Sequence, residues 1–290
     1  MKLRKFMCVA TAAVLTTSVL FTGCSSKNGD NNGTGGNNGQ TNDKVNEDIF
    51  EDDGVFSKFD QNYTWNSDAT VITLGNEDVE ITKGGEYIIS GTLSDGRIYI
   101  NVTDDEKVQL ILNGVNISCS ESAAIYVENA DKVAVTLPEG TKNVLSDGGS
   151  DADGCIFSKD DISFNGKGSL EVNGNVNNGI DCNNDIKFAS GNITVNAINN
   201  GIKAKETISV KDANITVTAD DTIKVSDKND ATVGSFYMVG GTLNLNAEDD
   251  GIVAVISVEI KGGKVNVDAA DKSINCDGEE KIADGCVVSK

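Results

Sequence analysis

The chain has 290 residues, a formal net charge of −21, no histidine and a single proline. The absence of histidine excludes histidine-based catalytic triads and histidine metal sites. The negative charge argues against a nucleic-acid partner, because phosphate binding needs clustered lysine and arginine. It favours the binding of hard cations such as calcium instead.

The first 24 residues have the pattern of an export signal. A basic start with Lys2, Arg4 and Lys5 precedes an apolar run from Phe6 to Phe21, and Thr22-Gly23-Cys24 closes the segment. This order is typical of a secretory signal, and a cysteine after Thr-Gly resembles a lipobox. We predict a lipoprotein signal peptide over residues 1–24, with lipidation of Cys24 as the only attachment to the membrane. The alternative is an ordinary signal peptide with a chance cysteine.

Residues 25–50 are dominated by glycine, asparagine and other small polar residues. Such a segment has little apolar surface to bury, so we predict a disordered tether. The expected location is therefore outside the cell, on the outer face of the bacterial membrane. Loss of the three basic residues of the signal lowers the net charge of the remaining chain to −24.

Residues 51–290 carry a repeat of short strands. Strands with alternating apolar and polar residues begin at Ser169, Asn192, Asn214, Thr242 and Lys264, at intervals of 22 to 28 residues. A second strand in each unit contributes an isoleucine, in the series Ile125, Ile156, Ile180, Ile202, Ile223, Ile252 and Ile274. Pairs such as Ile162 and Phe164 mark a third strand.

Alternation with period two predicts strands with one buried face, and repeats of this length predict a solenoid. We therefore predict an all-β protein, a single-stranded, right-handed parallel β-helix in which the isoleucines stack inside. The less regular part from Asp60 to Asp147 is interpreted as the first, more variable coils with a cap. The five cysteines after Cys24 do not suggest a disulfide framework.

Acidic turns precede the isoleucines of the later coils. We expect Asp220, Asp221, Asp249 and Asp250 to lie on neighbouring coils, with Asp271 next along and Asp227 in an adjacent insertion; these six are the predicted metal ligands. Calcium takes six to eight oxygen ligands, which two such turns with water can supply. The alternative is a solvated turn, because aspartate, asparagine and glycine are common turn residues.

Two lysines and three aromatic residues are predicted to point outward, four of them in one column that flanks these turns and Tyr237 on another face. Lys203 and Lys224 follow the isoleucine on adjacent coils, and Tyr126 and Phe157 hold the same position on earlier coils. The lysines are candidate sugar contacts or catalytic bases, or alternatively ion-pair partners of the acidic turns. Tyr126, Phe157 and Tyr237 are candidate platforms for sugar rings, or alternatively a ladder beneath the N-terminal segment.

Several longer motifs occur in a fixed order: Gly91-Thr-Leu-Ser-Asp-Gly, Val108-Gln-Leu-Ile-Leu-Asn-Gly, Leu137-Pro-Glu-Gly-Thr-Lys-Asn, Asp160-Asp-Ile-Ser-Phe-Asn-Gly and Gly240-Gly-Thr-Leu-Asn-Leu. With them, the sequence resembles a clostridial family of secreted carbohydrate-binding β-helix proteins related to polysaccharide lyases. The resemblance implies a right-handed parallel β-helix, calcium, and binding of cellulose or acidic polygalacturonate. It also implies metal-binding roles for Asp221 and Asp250.

Three functions are compatible with these patterns. The first is non-catalytic, calcium-dependent binding of plant cell-wall polysaccharide at the cell surface. The second is a weak calcium-dependent polysaccharide lyase, in which Lys203 or Lys224 would remove the proton. The third is a structural envelope protein or adhesin without a glycan ligand.

Overall fold

Residues 54–149 and 153–289 of a computed structural model are described here, and they are almost entirely β-structure. The predicted signal peptide, the predicted lipidation site Cys24 and the predicted tether lie outside these residues. One short helix, α1 (Lys58–Gln61), occurs in the described part, where no helix is long and apolar enough to cross a membrane.

The first twelve strands are β1 (Thr70–Thr73), β2 (Val79–Ile81), β3 (Gly85–Leu93), β4 (Ile98–Asn101), β5 (Lys107–Cys119), β6 (Ile125–Asn129), β7 (Lys132–Leu137), β8 (Lys142–Asp147), β9 (Gly154–Ser158), β10 (Asp161–Gly166), β11 (Ser169–Gly174) and β12 (Asn178–Cys182). The other twelve are β13 (Ile186–Ala197), β14 (Asn200–Ala204), β15 (Thr207–Ala219), β16 (Asp221–Val225), β17 (Ser235–Met238), β18 (Thr242–Ala247), β19 (Ile252–Ala254), β20 (Ser257–Ile260), β21 (Lys264–Ala269), β22 (Ile274–Cys276), β23 (Glu279–Ile282) and β24 (Val287–Ser289).

These strands form two sheets in which every named strand pairs in parallel with the next coil. The nine-stranded sheet has the order β2-β4-β6-β9-β12-β14-β16-β19-β22. The fifteen-stranded sheet runs from β1 to β23 and has a branch of β8, β11, β18, β21 and β24, because the long strands β5, β13 and β15 pair on both sides of a bend. The structure confirms the predicted parallel β-helix.

The isoleucine column stacks inside the nine-stranded sheet. Ile180, Ile202 and Ile223 are register partners on successive coils, and none of them is exposed. The predicted column also extends toward the N-terminus through Val79 and Ile98. Each buried isoleucine contributes roughly 1.5–3 kcal/mol relative to an exposed one, so the column is a continuous source of stability.

The opposite wall of the core carries the larger side chains. Phe164 and Phe188 are register partners with ring centroids 5.0 Å apart and nearly parallel planes. Phe236 follows one coil beyond Ile208 in the neighbouring column, also fully buried. The third strand predicted in each repeat is therefore the wall that fills the space left by the isoleucine column.

The first coils continue the same sheets, as predicted. Strands β2 and β4 pair into the nine-stranded sheet, with a register shift between Ile100 and Asn101 that explains the weaker repeat. Helix α1 lies against the outside of the fifteen-stranded sheet. There, the buried Asp60 carboxylate is 3.2 Å from Lys132 Nζ, and Asn165 Nδ2 donates to Asp60 O at 3.0 Å.

Five cysteines in the described part are free thiols: Cys119, Cys155, Cys182, Cys276 and Cys286. Cys182 and Cys276 occupy the same inner column, at the positions predicted for small residues. Cys182 is fully buried, whereas Cys276, near the C-terminal end, is only half-buried. These residues are packing elements of the core rather than cross-links.

Close packing of neighbouring coils requires glycine at Gly201. A Cβ there would overlap the Val217 side chain and lie 2.7 Å from the backbone oxygen of Thr222. The next coil has Thr222 at the equivalent position, where its buried hydroxyl donates to Gly251 O at 2.5 Å. The space beside the isoleucine column therefore differs from coil to coil.

We expect Gly201→Ala to lower the free energy of unfolding by about 1–3 kcal/mol, because an added methyl group overpacks the core. Urea denaturation followed by circular dichroism measures this change. Gly75→Ala is the matched control, since a Cβ at Gly75 meets no atom within 4 Å. Equal stabilities of the two variants would contradict the packing described here.

Candidate functional site

Side chains that alternate with the buried isoleucines form one continuous row on the outside of the nine-stranded sheet. We call this the outer row; its members, in coil order, are Glu80, Tyr99, Tyr126, Phe157, Asp181, Lys203, Lys224, Val253 and Asn275. Parallel pairing in register places equivalent residues above one another at about 4.8 Å. Four residues predicted at separate points of the sequence thus lie on one face: Tyr126, Phe157, Lys203 and Lys224.

The turn before each isoleucine forms a second ladder of polar side chains. Asn178 Oδ1 accepts a hydrogen bond from the backbone N–H of Asn200 on the next coil. Asp221 Oδ1 accepts from Asp250 N at 3.3 Å, and Asp250 Oδ1 accepts from Lys272 N at 3.0 Å. One oxygen of each side chain therefore links two coils, which is a structural role.

Three acidic residues converge in this ladder, and we call them the acidic cluster: Asp221, Asp249 and Asp250. One carboxylate oxygen from each lies within 4.8 Å of the other two. Asp221 and Asp250 are buried, whereas Asp249 is exposed. Of the six predicted metal ligands, the structure brings these three together.

The other three predicted ligands lie outside the acidic cluster. Asp220 and Asp271 flank Asp249 on adjacent coils and act on it through their charge. Asp227 lies in the insertion, where its carboxylate accepts from Asn229 N and its backbone forms an isolated bridge with Asp230. The insertion therefore uses Asp227 for its own turn, a local contact that the spacing of the repeat did not reveal.

The charge of the acidic cluster is only partly compensated. Lys224 Nζ is 2.8 Å from Asp221 Oδ2, and Asn275 Nδ2 donates to Asp250 Oδ2 at 2.6 Å. Reduced hydration and then the charges of the neighbouring aspartates raise the pKa of Asp249 above its usual value near 3.8. This carboxylate is therefore the one that gains most from a bound cation.

The donor set of this region suits a hard cation. All three groups of the acidic cluster offer oxygen, the ligand atom that calcium requires. In addition, Asn200 is 4% exposed, and its Oδ1 has no hydrogen-bond partner, although Asn200 is the register partner of Asp221. Since Asn200 Nδ2 donates back to Asn178, its Oδ1 is the free end of the amide. The residues present therefore fit calcium, with Asp221, Asp249 and Asp250 as its ligands and Asn200 as a neighbouring oxygen donor.

Both predicted lysines are in ion pairs. Lys203 Nζ is 3.2 Å from Asp181 Oδ2, and Lys224 is paired with Asp221 as described. Burial raises the pKa of Asp181, while the Lys203 ammonium partly opposes that shift. The ammonium groups thus neutralise carboxylates that the fold has buried.

The aromatic part of the outer row is longer than predicted. Ring centroids of Tyr99 and Tyr126 are 5.6 Å apart, and those of Tyr126 and Phe157 are 5.0 Å apart. Phe157 is only 6% exposed, whereas the two tyrosines are half-buried, so the free surface belongs to the tyrosines. Arg97 lies over both tyrosine rings, 5.1 Å and 5.7 Å from their centroids.

Tyr99 and Arg97 were missed from the sequence. The alternation of Ile98, Tyr99 and Ile100 could have assigned Tyr99 to the outer row, but unequal turn lengths hid the alignment of this strand with those of the later coils. Tyr237 lies elsewhere, on the outside of the fifteen-stranded sheet, where the Lys261 ammonium is 4.9 Å from its ring centroid. Tyr237 therefore does not share a surface with Tyr126.

We expect Asp249→Asn to stabilise the protein at neutral pH in the presence of a chelator. Because the pKa of Asp249 is raised by folding, the folded state binds a proton more tightly than the unfolded chain. The folded state therefore becomes more stable, relative to the unfolded chain, as the pH falls from neutral through the raised pKa of Asp249. This stabilisation reaches its limit below the usual pKa of a carboxyl group.

Thermal melts between neutral and acidic pH check this expectation. The gain in melting temperature on acidification should be smaller in Asp249→Asn than in the native chain. Asp227→Asn, outside the acidic cluster, should leave the profile unchanged. Identical profiles for the native chain and Asp249→Asn would show that the carboxylates of the acidic cluster do not repel one another.

Comparison with known proteins shows the family of this chain. A family profile described as "Carbohydrate-binding domain-containing protein" matches residues 75–288. A protein of Acetivibrio thermocellus with the same description is 37% identical over an alignment of 289 positions, which covers 96% of this chain and 96% of that protein.

A solved structure is also similar, described as the polysaccharide lyase-like protein from C. thermocellum, gadolinium derivative. Its sequence identity is 37% and its TM-score 0.72, and the match covers 76% of this chain and 98% of the solved one. Because the profile matches residues 75–288 and the A. thermocellus relative is 37% identical over 96% of the chain, this chain belongs to the family of carbohydrate-binding domain-containing proteins.

Proposed function

We propose that this protein binds plant cell-wall polysaccharide in a non-catalytic manner, with cellulose or acidic pectin such as polygalacturonate as the ligand, and that binding of the acidic ligand depends on calcium. Membership of a carbohydrate-binding family supports the ligand class. The convergence of Asp221, Asp249 and Asp250 is the observation that carries the calcium dependence.

The two buried carboxylates and the exposed one have different parts in this proposal. Asp221 and Asp250 are fixed by hydrogen bonds to the next coil, so they hold a preformed site. Asp249 faces solvent and completes it from outside. A bound calcium ion supplies positive charge and free coordination positions at which a polysaccharide carboxylate or hydroxyl can bind.

Lysines next to the acidic cluster extend the same surface. Lys203 and Lys224 are register partners on adjacent coils, and their side chains are about one third exposed, 30% and 34%. Their ammonium groups lie in the outer row beside the cluster, at the height of Asp181 and Asp221. A uronate chain lying along the solenoid would meet cationic groups there rather than only aspartates.

The overall charge explains why a cation is needed for an acidic ligand. A protein with a net charge of −21 repels an anionic polymer at long range, and more strongly at low salt. Calcium at the acidic cluster would cancel two of its three negative charges, and Lys224 would offset the third. Binding of polygalacturonate should therefore require calcium, whereas binding of a neutral polymer need not.

The ion pairs of Lys203 and Lys224 favour binding over catalysis. A lyase needs a base that takes the proton next to the uronate carboxylate, in hydrogen-bond reach of that proton. Here each candidate lysine already contacts an aspartate of the fold, at 3.2 Å and 2.8 Å. The lyase-like description belongs to a relative, and we propose only the binding function for this chain.

We expect affinity electrophoresis in polygalacturonate gels to retard the native protein with calcium and not with a chelator. Asp249→Asn removes one charged ligand and should weaken binding at least tenfold, about 1.4 kcal/mol. Asp227→Asn changes the same residue type outside the acidic cluster and should bind normally. Retardation that is unaffected by chelator would contradict the calcium dependence, and release of unsaturated uronide products would contradict the non-catalytic role.

We also propose export and lipid anchoring through Cys24, based on the basic and apolar pattern of residues 1–24. Cys24→Ser should move the protein from the membrane fraction to the culture medium or leave an unprocessed precursor, because no acyl chain can be attached. Detergent phase partition of cell fractions measures this change. A serine variant that stays in the detergent phase at its processed mass would contradict lipidation.

A further inference from the structure

A groove on the N-terminal coils is separate from the acidic cluster. It has a volume of about 680 Å³, within the range of small-molecule binding sites. Tyr99 and Tyr126 of the outer row line it, and Arg97 lies over both rings. Arg97 is the only arginine in the chain after the predicted signal peptide.

Four carboxylates also line the groove: Asp78, Asp95, Glu121 and Glu128. Three of them are already engaged by the protein. Asp78 Oδ2 is 3.7 Å from Arg97 Nε, Asp95 accepts from the backbone and hydroxyl of Ser120, and Glu128 is 2.6 Å from Lys159 Nζ. The groove is therefore polar, but most of its charges have partners.

This arrangement disfavours a charged ligand of either sign. Four carboxylates against one guanidinium repel a uronate, and no metal-binding group of three acidic residues occurs in the groove among the residues that the structure describes. A cationic ligand gains little from the carboxylates, because Asp78, Asp95 and Glu128 already have partners. An uncharged ligand avoids both penalties.

Sugar rings suit a groove that offers aromatic surface and hydrogen-bonding groups but little unpaired charge. Their C–H faces pack against aromatic surface, which the half-buried tyrosines offer. Their hydroxyl groups both donate and accept, so they can donate to carboxylates and accept from a guanidinium or a tyrosine hydroxyl. The groove extends over the turns before β2, β4 and β6, and three coils span about 10 Å along the axis.

We infer that this groove is a second carbohydrate site, which binds a neutral sugar chain without calcium. Arg97 and Tyr99 are its central contacts, and Tyr126 supports the ring of Tyr99 from the next coil. This site rests on the carbohydrate binding proposed above; it assigns the neutral ligand to the groove, at a location remote from the acidic cluster. The protein thus has one surface for neutral chains and another for acidic ones.

Affinity electrophoresis in gels with hydroxyethyl cellulose and a chelator tests the site. The native protein should be retarded, and Arg97→Gln and Tyr99→Leu should each weaken this binding about tenfold, the usual effect of losing a central contact. Arg97 has a partly exposed side chain, so Arg97→Gln preserves the core; circular dichroism melts check that both variants are folded. Polygalacturonate binding with calcium should be unchanged in both.

Two matched controls are available. Lys261→Gln removes a cation from over a tyrosine ring on the other sheet and should not affect binding of the neutral polymer. Asp249→Asn removes a ligand of the acidic cluster and should not affect it either. Neutral binding that is lost with chelator or in Asp249→Asn, or that survives in both groove variants, would overturn the assignment.

The remaining outcomes separate this site from the general function. Calcium-dependent binding of polygalacturonate without any binding of the neutral polymer would overturn the groove alone. Failure to bind every polysaccharide would overturn both. Groove variants that weaken binding only to a cationic polymer such as glycol chitosan would show that the ligand class assigned here is wrong.

Discussion

Parallel stacking in register is the constraint on which the other features depend. Each coil must present its backbone groups to the next at one spacing, so residues at equivalent positions become neighbours regardless of their distance in the sequence. Ile180 and Ile202, 22 residues apart, are in contact for this reason. The same rule acts on the outside, where it places Lys203 beside Lys224 and Asn200 beside Asp221.

Stacking in register also places residues of like charge next to one another on neighbouring coils. An acidic turn that repeats on neighbouring coils brings carboxylates close together. Water screens the repulsion between them poorly when two of the carboxylates are buried. The protein offsets part of this repulsion with Lys224 and with backbone donors, and leaves Asp249 as the least compensated group. Repetition of the acidic turn is thus nearly sufficient to bring the residues of a candidate cation site together.

Much of the fold was predictable because its signal is periodic. The isoleucine column and the Asp221–Asp250 ladder both follow from counting residues in regular coils. Departures from the period were not predictable in the same way. The unequal turn lengths of the first coils hid Tyr99 and Arg97, and the insertion that contains Asp227 folds on local hydrogen bonds that carry no repeat. The contacts of the N-terminal segment, which contains α1, could not be predicted either, because a segment without a repeat does not indicate which coils it packs against.

That N-terminal segment gives the solenoid a property that its repeats lack. In a stack of coils that touch only their neighbours, end coils can open one at a time. Here, however, Gln109 Nε2 donates to Asn62 O, Asn165 Nδ2 donates to Asp60 O, and Lys211 Nζ donates to Gln61 Oε1, which ties β5, β10 and the region of β15 to one short stretch of chain. The early coils can open only if these hydrogen bonds break together, so the segment from Asp60 to Asn62 holds together coils that are not neighbours in the stack. It couples the groove-bearing coils mechanically to the centre of the molecule and raises the cooperativity of a fold that would otherwise fray.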